Sequence, residues 1–449
     1  MIIDTIRIIF FCFFVLTVTD FVCQFLLSFS ILSNSSKILS GSTSSEDSLN
    51  SVHGLRFLSF SWVVLVHTYL QIFAIGENKG LRAVTEKNFA YQLVGNATYS
   101  VDSFLVISGL LVSYLFFKNK TSKIEIESFL KSFGKFFTLV LYRFVRLTPV
   151  YITVLGIVHI TMSFLRDQTV FETPLILQLN CDTYWWRNIL YVNNFYPRRE
   201  MCMLWSWYMA TDTQFFVLSV ILLLLAKRYF KISVVVLFTL LVSSWCTTAY
   251  IAYTYQYQVK VQEPFALFDE LYDKPWTRIG PYIIGMCAGW LLAEKKCQIK
   301  MPWIVVILGW ILSIGGLFGL VFCIRNGLGV AESSIYAALG HTVWGLTLVW
   351  IVIACRCGYG GWINTFLSWP AFHPFSRLTY CAYLAHPIIM FLTNYVMDGP
   401  FHMHNGVVMI VFLGNLISSY ILSFALSLAF EAPFMRLLKL ILSPNQEKR

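Results

Sequence analysis

Two side chains, Arg56 and His67, stand eleven positions apart in an otherwise apolar run, Gly54-Leu55-Arg56-Phe57-Leu58-Ser59-Phe60-Ser61-Trp62-Val63-Val64-Leu65-Val66-His67-Thr68. On an α-helix that interval rises ~16 Å and closes nearly three turns, so both side chains project from nearly one face. A guanidinium at the mouth of a buried helix, with an imidazole about half a bilayer deeper, suits an anionic ligand whose reactive end reaches the imidazole. An imidazole titrates near working pH and can take the proton of an attacking hydroxyl. Taken singly, His67 also reads as a packing histidine.

Other ionisable groups sit in similarly apolar surroundings. Charged groups there cost at least ~2.5–3.5 kcal/mol on insertion scales and are candidates for function. Asp102 opens the run Val101-Asp102-Ser103-Phe104-Leu105-Val106-Ile107-Ser108-Gly109, where Ser108 and Gly109 are small enough to let a helix or ligand approach. Asp102 is a candidate to orient His67, and equally a carboxylate favoured at a helix N-terminus. Arg143 and Arg146, in Tyr142-Arg143-Phe144-Val145-Arg146-Leu147-Thr148-Pro149, have the i,i+3 spacing of one helix face. Guanidinium forks suit phosphate, with lipid-headgroup anchoring as the alternative. Asp212, His386 (before the kinking Pro387) and Glu431 complete the intramembrane candidates, while His159 and His341 read as packing residues. The sequence has no Gly-x-Ser-x-Gly elbow, P-loop, His-Glu-x-x-His or zinc-spaced Cys-x-x-Cys, so metal catalysis is not expected and no metal ligand is assigned.

The elements that must position these groups follow from composition. Of 449 residues 57% are hydrophobic and only 12% charged, and mean hydropathy is +0.67. A soluble domain carries about 25% charged residues, so a water-soluble enzyme is excluded and an all-α polytopic membrane protein is expected. Candidate spans lie near 5–28, 55–75, 101–117, 138–164, 206–226, 232–253, 279–293, 302–323, 334–354, 378–397 and 407–431, about 11 transmembrane helices. The two shortest, 101–117 and 279–293, are candidates for re-entrant segments. The expected division is an N-terminal transmembrane helix (1–30), a cytoplasmic linker (31–52) that is flexible over Ser33 to Ser51, a transmembrane domain (53–435) and a cytoplasmic tail (436–449). The segment 5–28, with Arg7 in front and Asp20 inside, reads as a retained helix rather than a cleaved signal peptide.

The net charge of +10 resides in short clusters between apolar stretches, which orients helices and gives no reason to expect a nucleic-acid partner. With the loop 29–54 placed in the cytosol, that side carries 18 Lys and Arg against 11 opposite. The N-terminus is then lumenal or extracellular and the C-terminus cytoplasmic, in the endoplasmic reticulum or plasma membrane. Of eleven cysteines, Cys181 and Cys202 fall in one long loop on the non-cytosolic side and are expected to form a disulfide. Asn96-Ala97-Thr98 is a glycosylation sequon on that side, whereas Asn34-Ser35-Ser36 and Asn119-Lys120-Thr121 would face the cytosol and stay bare.

Six motifs in order resemble the acyltransferase-3 family, most closely its animal branch of nose-resistant-to-fluoxetine proteins. They are Arg56-x10-His67, the Asp102–Gly109 run, Tyr142–Tyr151, Asp212-Thr213-Gln214-Phe215-Phe216, Arg278-Ile279-Gly280-Pro281-Tyr282-Ile283-Ile284-Gly285, and Ser376-Arg377-Leu378-Thr379-Tyr380-Cys381-Ala382-Tyr383-Leu384-Ala385-His386-Pro387. The resemblance implies membrane O-acyl transfer from a coenzyme A thioester in the cytosol to a hydroxyl on a lipid, sterol or glycan. It makes His67 the catalytic base and gives Arg56 a role in donor binding or structure. Arg143 and Arg146 match the family's basic motif. That branch usually carries a cysteine-rich lumenal domain before its first helix, and only a few residues precede the first span here. A transporter, or a lipid- or xenobiotic-handling protein without acyl transfer, is the alternative. Membrane lipids and acyl-coenzyme A are the expected partners.

Overall fold

A computed structural model of the chain describes residues 22–41, 49–118, 129–171, 180–325 and 327–442. Among them the secondary structure is helical, apart from one isolated backbone bridge between Gly76 and Phe401. The long helices are α1 (Ser51–Ile75), α2 (Thr98–Lys118), α3 (Phe129–Gln168), α4 (Trp207–Arg228), α5 (Phe230–Thr254), α6 (Pro275–Glu294), α7 (Trp303–Phe322), α8 (Val330–Arg356), α9 (Phe372–Tyr395) and α10 (Asn405–Leu426). Each expected span from 55–75 onward falls on one of them. Eight helices are long and apolar enough to cross a membrane, or nine if the bent pair Val22–Ser28 and Ile31–Leu39 is one span. The expected eleven is not reached among the described residues. α6 and α9 have the length but carry too many polar groups to qualify, and most of the first span, with Arg7 and Asp20, lies outside the described residues.

The two segments singled out as short are full helices, 21 residues in α2 and 20 in α6. They pack against each other backbone to backbone. A Cβ on Gly285 would sit 2.1 Å from Val106 O, one on Gly289 2.2 Å from Leu110 O, and one on Gly109 2.3 Å from Tyr282 O. Small residues one turn apart thus bring the two helices closer than ordinary side chains permit. Pro275, at the first turn of α6, sets the entry where its missing N–H costs nothing.

The segment expected to be a linker begins instead as a helix, Ile31–Leu39. Its C-terminal carbonyls are capped by Arg377 of α9, whose Nη1 donates to Lys37 O at 2.6 Å, Ile38 O at 3.1 Å and Ser40 O at 2.6 Å. Arg436 holds the preceding turn, donating to Leu27 O at 2.8 Å and Ser33 Oγ at 2.6 Å. α3 runs 40 residues, twice what a bilayer core requires, and carries Pro149. α10 gives way to a π-turn at Ser427–Glu431 and a last helix, Ala432–Leu442, where a tail was expected. The end of the tail, with Lys448 and Arg449, lies outside the described residues, as does the Asn119 sequon.

At the end of the bundle opposite Lys135 and Lys227, the loop before α4 is cross-linked by the Cys181–Cys202 disulfide and folds inward. Buried Asn188 donates to Tyr151 Oη at 3.0 Å and Ser206 Oγ at 2.9 Å. Arg187 pairs with Glu200 at 2.8 Å and lies over the Tyr196 ring at 3.5 Å. Below the loop, Lys274 divides its ammonium among Asn194 O at 2.8 Å, Tyr196 O at 3.5 Å and the Asp273 carboxylate at 3.1 Å. Burial pushes the Asp273 carboxyl up to about 7 against the pull of this shared ammonium.

Candidate active site

Helices α1, α2, α3, α4 and α9 surround a cavity of about 1760 Å³. Its polar wall comprises Arg56, Ser108, Arg143, Arg146, Asp212 and Glu431, with Lys135, Lys227 and Arg228 also in the lining. Phe104, Leu111, Val112, Leu115 and Phe116 give it an apolar side. The structure therefore brings Arg56 of α1 and the Arg143/Arg146 pair of α3 to one space. The i,i+3 interval does this for the pair, while tertiary packing does it for Arg56. Gly54 helps by letting Leu367 lie against the start of α1, where a Cβ would meet Leu367 O at 2.4 Å.

The three arginines differ in what they have left to offer. Arg143 is ion-paired with Asp212 and lies over the Phe216 ring, its guanidinium carbon 4.3 Å from the centroid. Arg56 and Arg146 make no ion pair or side-chain hydrogen bond with a described residue. With Arg228, whose guanidinium lies over the Tyr229 ring, they are cavity guanidiniums open to an anion. Glu431 is turned inward by the π-turn, where its Oε2 accepts from Ser427 Oγ at 3.0 Å and Cys381 Sγ at 3.2 Å. Insertion of one residue into a helical turn is a common way to aim a side chain into a site.

His67 does not line this cavity. Its Nδ1 lies 2.7 Å from Nε2 of His386, and the two rings are nearly parallel. Phe60 packs edge-on against His386 with centroids 5.8 Å apart, and the neighbouring Thr68 Oγ1 accepts from Asn415 Nδ2 at 3.0 Å, which pins α1 between α9 and α10. Tyr383 belongs to the cavity wall, and its ring stands 5.8 Å from that of His386. The histidine pair thus lies one aromatic ring behind the wall.

Asp102 does not orient His67. Its carboxylate, fully buried, takes His341 Nδ1 at 2.6 Å and Arg278 Nη1 at 3.3 Å. A carboxylate only accepts, so His341 Nδ1 carries the hydrogen. The 3.0 Å approach of Arg278 Nη1 to that nitrogen is then a contact, not a hydrogen bond. Arg278 also donates Nε to Tyr272 O at 2.8 Å and lies against the rings of Tyr272 and Trp207. His341, read from its bland neighbours as packing, is therefore a hydrogen-bond donor to the buried carboxylate. Arg278 is fully buried in α6. No local signal in either sequence window announces their meeting, because they come from α6 and α8. His159 is exposed and faces Asp182 at 3.5 Å, so it does not pack either.

Asn96 is likewise not an available glycan acceptor. It is buried, and its amide nitrogen, the atom a glycan would occupy, donates to Val321 O at 2.6 Å. Tyr208, Tyr380 and Tyr383 line the cavity without having been singled out, since single aromatic residues in an apolar chain look like any others.

A sequence-family profile described as an acyltransferase domain matches residues 49–432. The chain belongs to the acyltransferase-3 family. Its acyltransferase domain thus takes in α1 to α10 together with His67, His386 and all the cavity lining but Ile38 and Met435. The chain is 33% identical over 445 aligned residues to Nose resistant to fluoxetine protein 6 of Caenorhabditis elegans, an alignment covering 92% of this chain and 54% of that protein. It is 21% identical over 266 residues to Regulator of hypoxia-inducible factor 1 of the same species, covering 54% of this chain and 50% of the other. The chain spans about half the length of the curated relatives it matches. No solved structure matches it.

Proposed function

We propose that the chain is an integral membrane O-acyltransferase that moves an acyl group from a coenzyme A thioester to a hydroxyl on a lipid, sterol or glycan. The observation that supports this reading best is the cavity, which combines open guanidiniums at Arg56 and Arg146 with an apolar wall of α2 side chains from Phe104 to Phe116. Donor phosphates occupy the arginines, and the acyl chain lies along Phe104 and the α2 leucines. The thioester carbonyl passes Tyr383 to reach His67. There the His67 imidazole takes the acceptor's proton as its oxygen attacks the carbonyl carbon. The C–S bond then breaks, and the proton returns to the leaving sulfur to give the free thiol and the ester. The arginines act by charge-assisted hydrogen bonds to phosphate.

The donor role of Arg56 is tested by acyl transfer against acyl-coenzyme A concentration in lipid nanodiscs. Arg56→Ala is expected to raise the apparent KM about 10–100-fold, the loss of a hydrogen bond to a charged group. Arg56→Lys recovers part of this, because an ammonium keeps the charge but loses the fork. An unchanged KM in Arg56→Ala removes Arg56 from the donor site.

Orientation follows the same reading. The cavity lining includes Lys135, Lys227 and Arg228, on the side richer in basic residues, and we place that side in the cytosol, where acyl-coenzyme A is available. The disulfide loop then faces the lumen or exterior. Cys181 and Cys202 are expected to resist a membrane-impermeant maleimide in sealed cytosol-side-out vesicles even after reduction, and to react once these are permeabilised. Labelling of both in the sealed, reduced vesicles reverses the orientation.

A second reading has one observation in its favour. Because the cavity stops short of His67, it can also hold and move an amphipathic anion without chemistry. Binding of acyl-coenzyme A with no ester product from any membrane lipid extract would select lipid or xenobiotic handling over acyl transfer.

A further inference from the structure

We infer that His386 is a positioning residue whose orientation, set by Pro387, fixes which nitrogen of His67 is free to take a proton. The inference rests on the reading of His67 as the base, but its first test does not depend on catalysis.

Pro387 lies inside α9 and has no N–H, so the carbonyl four residues earlier, that of Tyr383, loses its helical donor. An unpaired carbonyl in a buried helix needs another donor. Nδ1 of His386 lies 2.8 Å from Tyr383 O. A carbonyl only accepts, so His386 Nδ1 carries a hydrogen, and the neutral ring has a bare Nε2. That bare nitrogen lies 2.7 Å from His67 Nδ1. His67 must therefore donate from Nδ1, which leaves its Nε2 as the lone pair. One proline thereby sets two tautomers in series.

The surrounding contacts hold the arrangement in place. Tyr383 Oη donates to Trp205 O at 2.7 Å, and Trp205 Nε1 donates to Leu384 O at 3.1 Å, so the turn of α9 before Pro387 is tied to the segment entering α4. When His67 Nε2 accepts the proton of the attacking hydroxyl, both of its nitrogens bear hydrogens. No bond to His386 is broken, and the Nδ1–H donated to His386 becomes charge-assisted as the imidazolium forms. His386 would thus do for His67 what the orienting carboxylate does in hydrolytic triads, without bringing a second charge into the apolar interior.

The experiment is nitrogen NMR of the full chain, labelled with 15N-histidine, in lipid nanodiscs at neutral pH. The chain has eight histidines, and the His67 resonances are those lost in His67→Gln. The expected wild-type state is Nδ1–H with bare Nε2. In His386→Leu this state should give way to Nε2–H or a mixture, and turnover should fall at least ~100-fold with little change in KM for acyl-coenzyme A. His386→Gln, whose amide oxygen can accept from His67 Nδ1, should recover part of both. Pro387→Ala guards against a misfolded His386 variant. It favours the helix and supplies a backbone N–H that competes for Tyr383 O, so the protein should remain stable while the His67 signals split and turnover falls several-fold.

A wild-type His67 with hydrogen on Nε2 overturns the inference, as does a tautomer unchanged in both His386→Leu and Pro387→Ala. If the tautomers behave as expected but His67→Gln keeps full acyl transfer, the positioning stands and the assignment of His67 as base falls.

Discussion

His67→Ala is expected to abolish acyl transfer, lowering turnover by about 10²–10⁴-fold, the usual worth of a positioned general base. The loss should fall on kcat, because His67 lies behind the cavity wall and touches none of the groups proposed to hold the donor. Folding should survive. The substitution deletes a ring bonded to His386 at 2.7 Å and leaves α1 anchored through Thr68 and Asn415. Turnover against acyl-coenzyme A concentration, normalised to monodisperse protein by fluorescence size exclusion, decides it. Near-wild-type kcat in His67→Ala would exclude the mechanism.

Gly285→Leu is expected to remove folded protein altogether. A Cβ at this position already falls 2.1 Å from Val106 O and 3.0 Å from Leu110 N, and both obstacles are backbone in the middle of α2. No rotamer relieves such an overlap, so α2 and α6 must separate. Separation also draws Arg278 away from Asp102, and breaking a buried ion pair costs on the order of 3–5 kcal/mol. The expected readout is loss of the monodisperse peak. Gly315→Leu on α7, where nothing lies within 4 Å of an added Cβ, should keep that peak. A normal peak and melting temperature for Gly285→Leu would mean that the α2–α6 packing is wrong.

The candidate residues differ in how much of their setting one stretch of sequence contains. His67 was legible because an ionisable residue inside an apolar run stands out against its background, and helix geometry aligns it with Arg56. Arg143 and Arg146 were legible for the same reason, since i,i+3 spacing is a property of one helix. Asp102 stood out too, yet its role was misassigned: a carboxylate can be seen in one window, but its partners Arg278 and His341 belong to two other helices. Asn96 failed in the same way. The sequon is local, whereas the Val321 carbonyl that ties up its amide is more than two hundred residues away.

The sequence by itself determined what depends on local chemistry and on the bilayer. Long apolar stretches must become helices, because a backbone in hydrocarbon has to satisfy its own hydrogen bonds. Polar exceptions within them mark candidates for chemistry, and two cysteines in one long loop between spans meet as a disulfide. Tertiary structure alone decided which candidates face one another. It set Arg56 beside the α3 arginines, paired Arg143 with Asp212 so that Arg56 and Arg146 are left open, and placed His67 against His386 rather than Asp102. The physical reason is that helix order and rotation in a bilayer follow from close packing, here the glycine contacts between α2 and α6. Such contacts depend on pairs of surfaces that no single stretch of sequence contains.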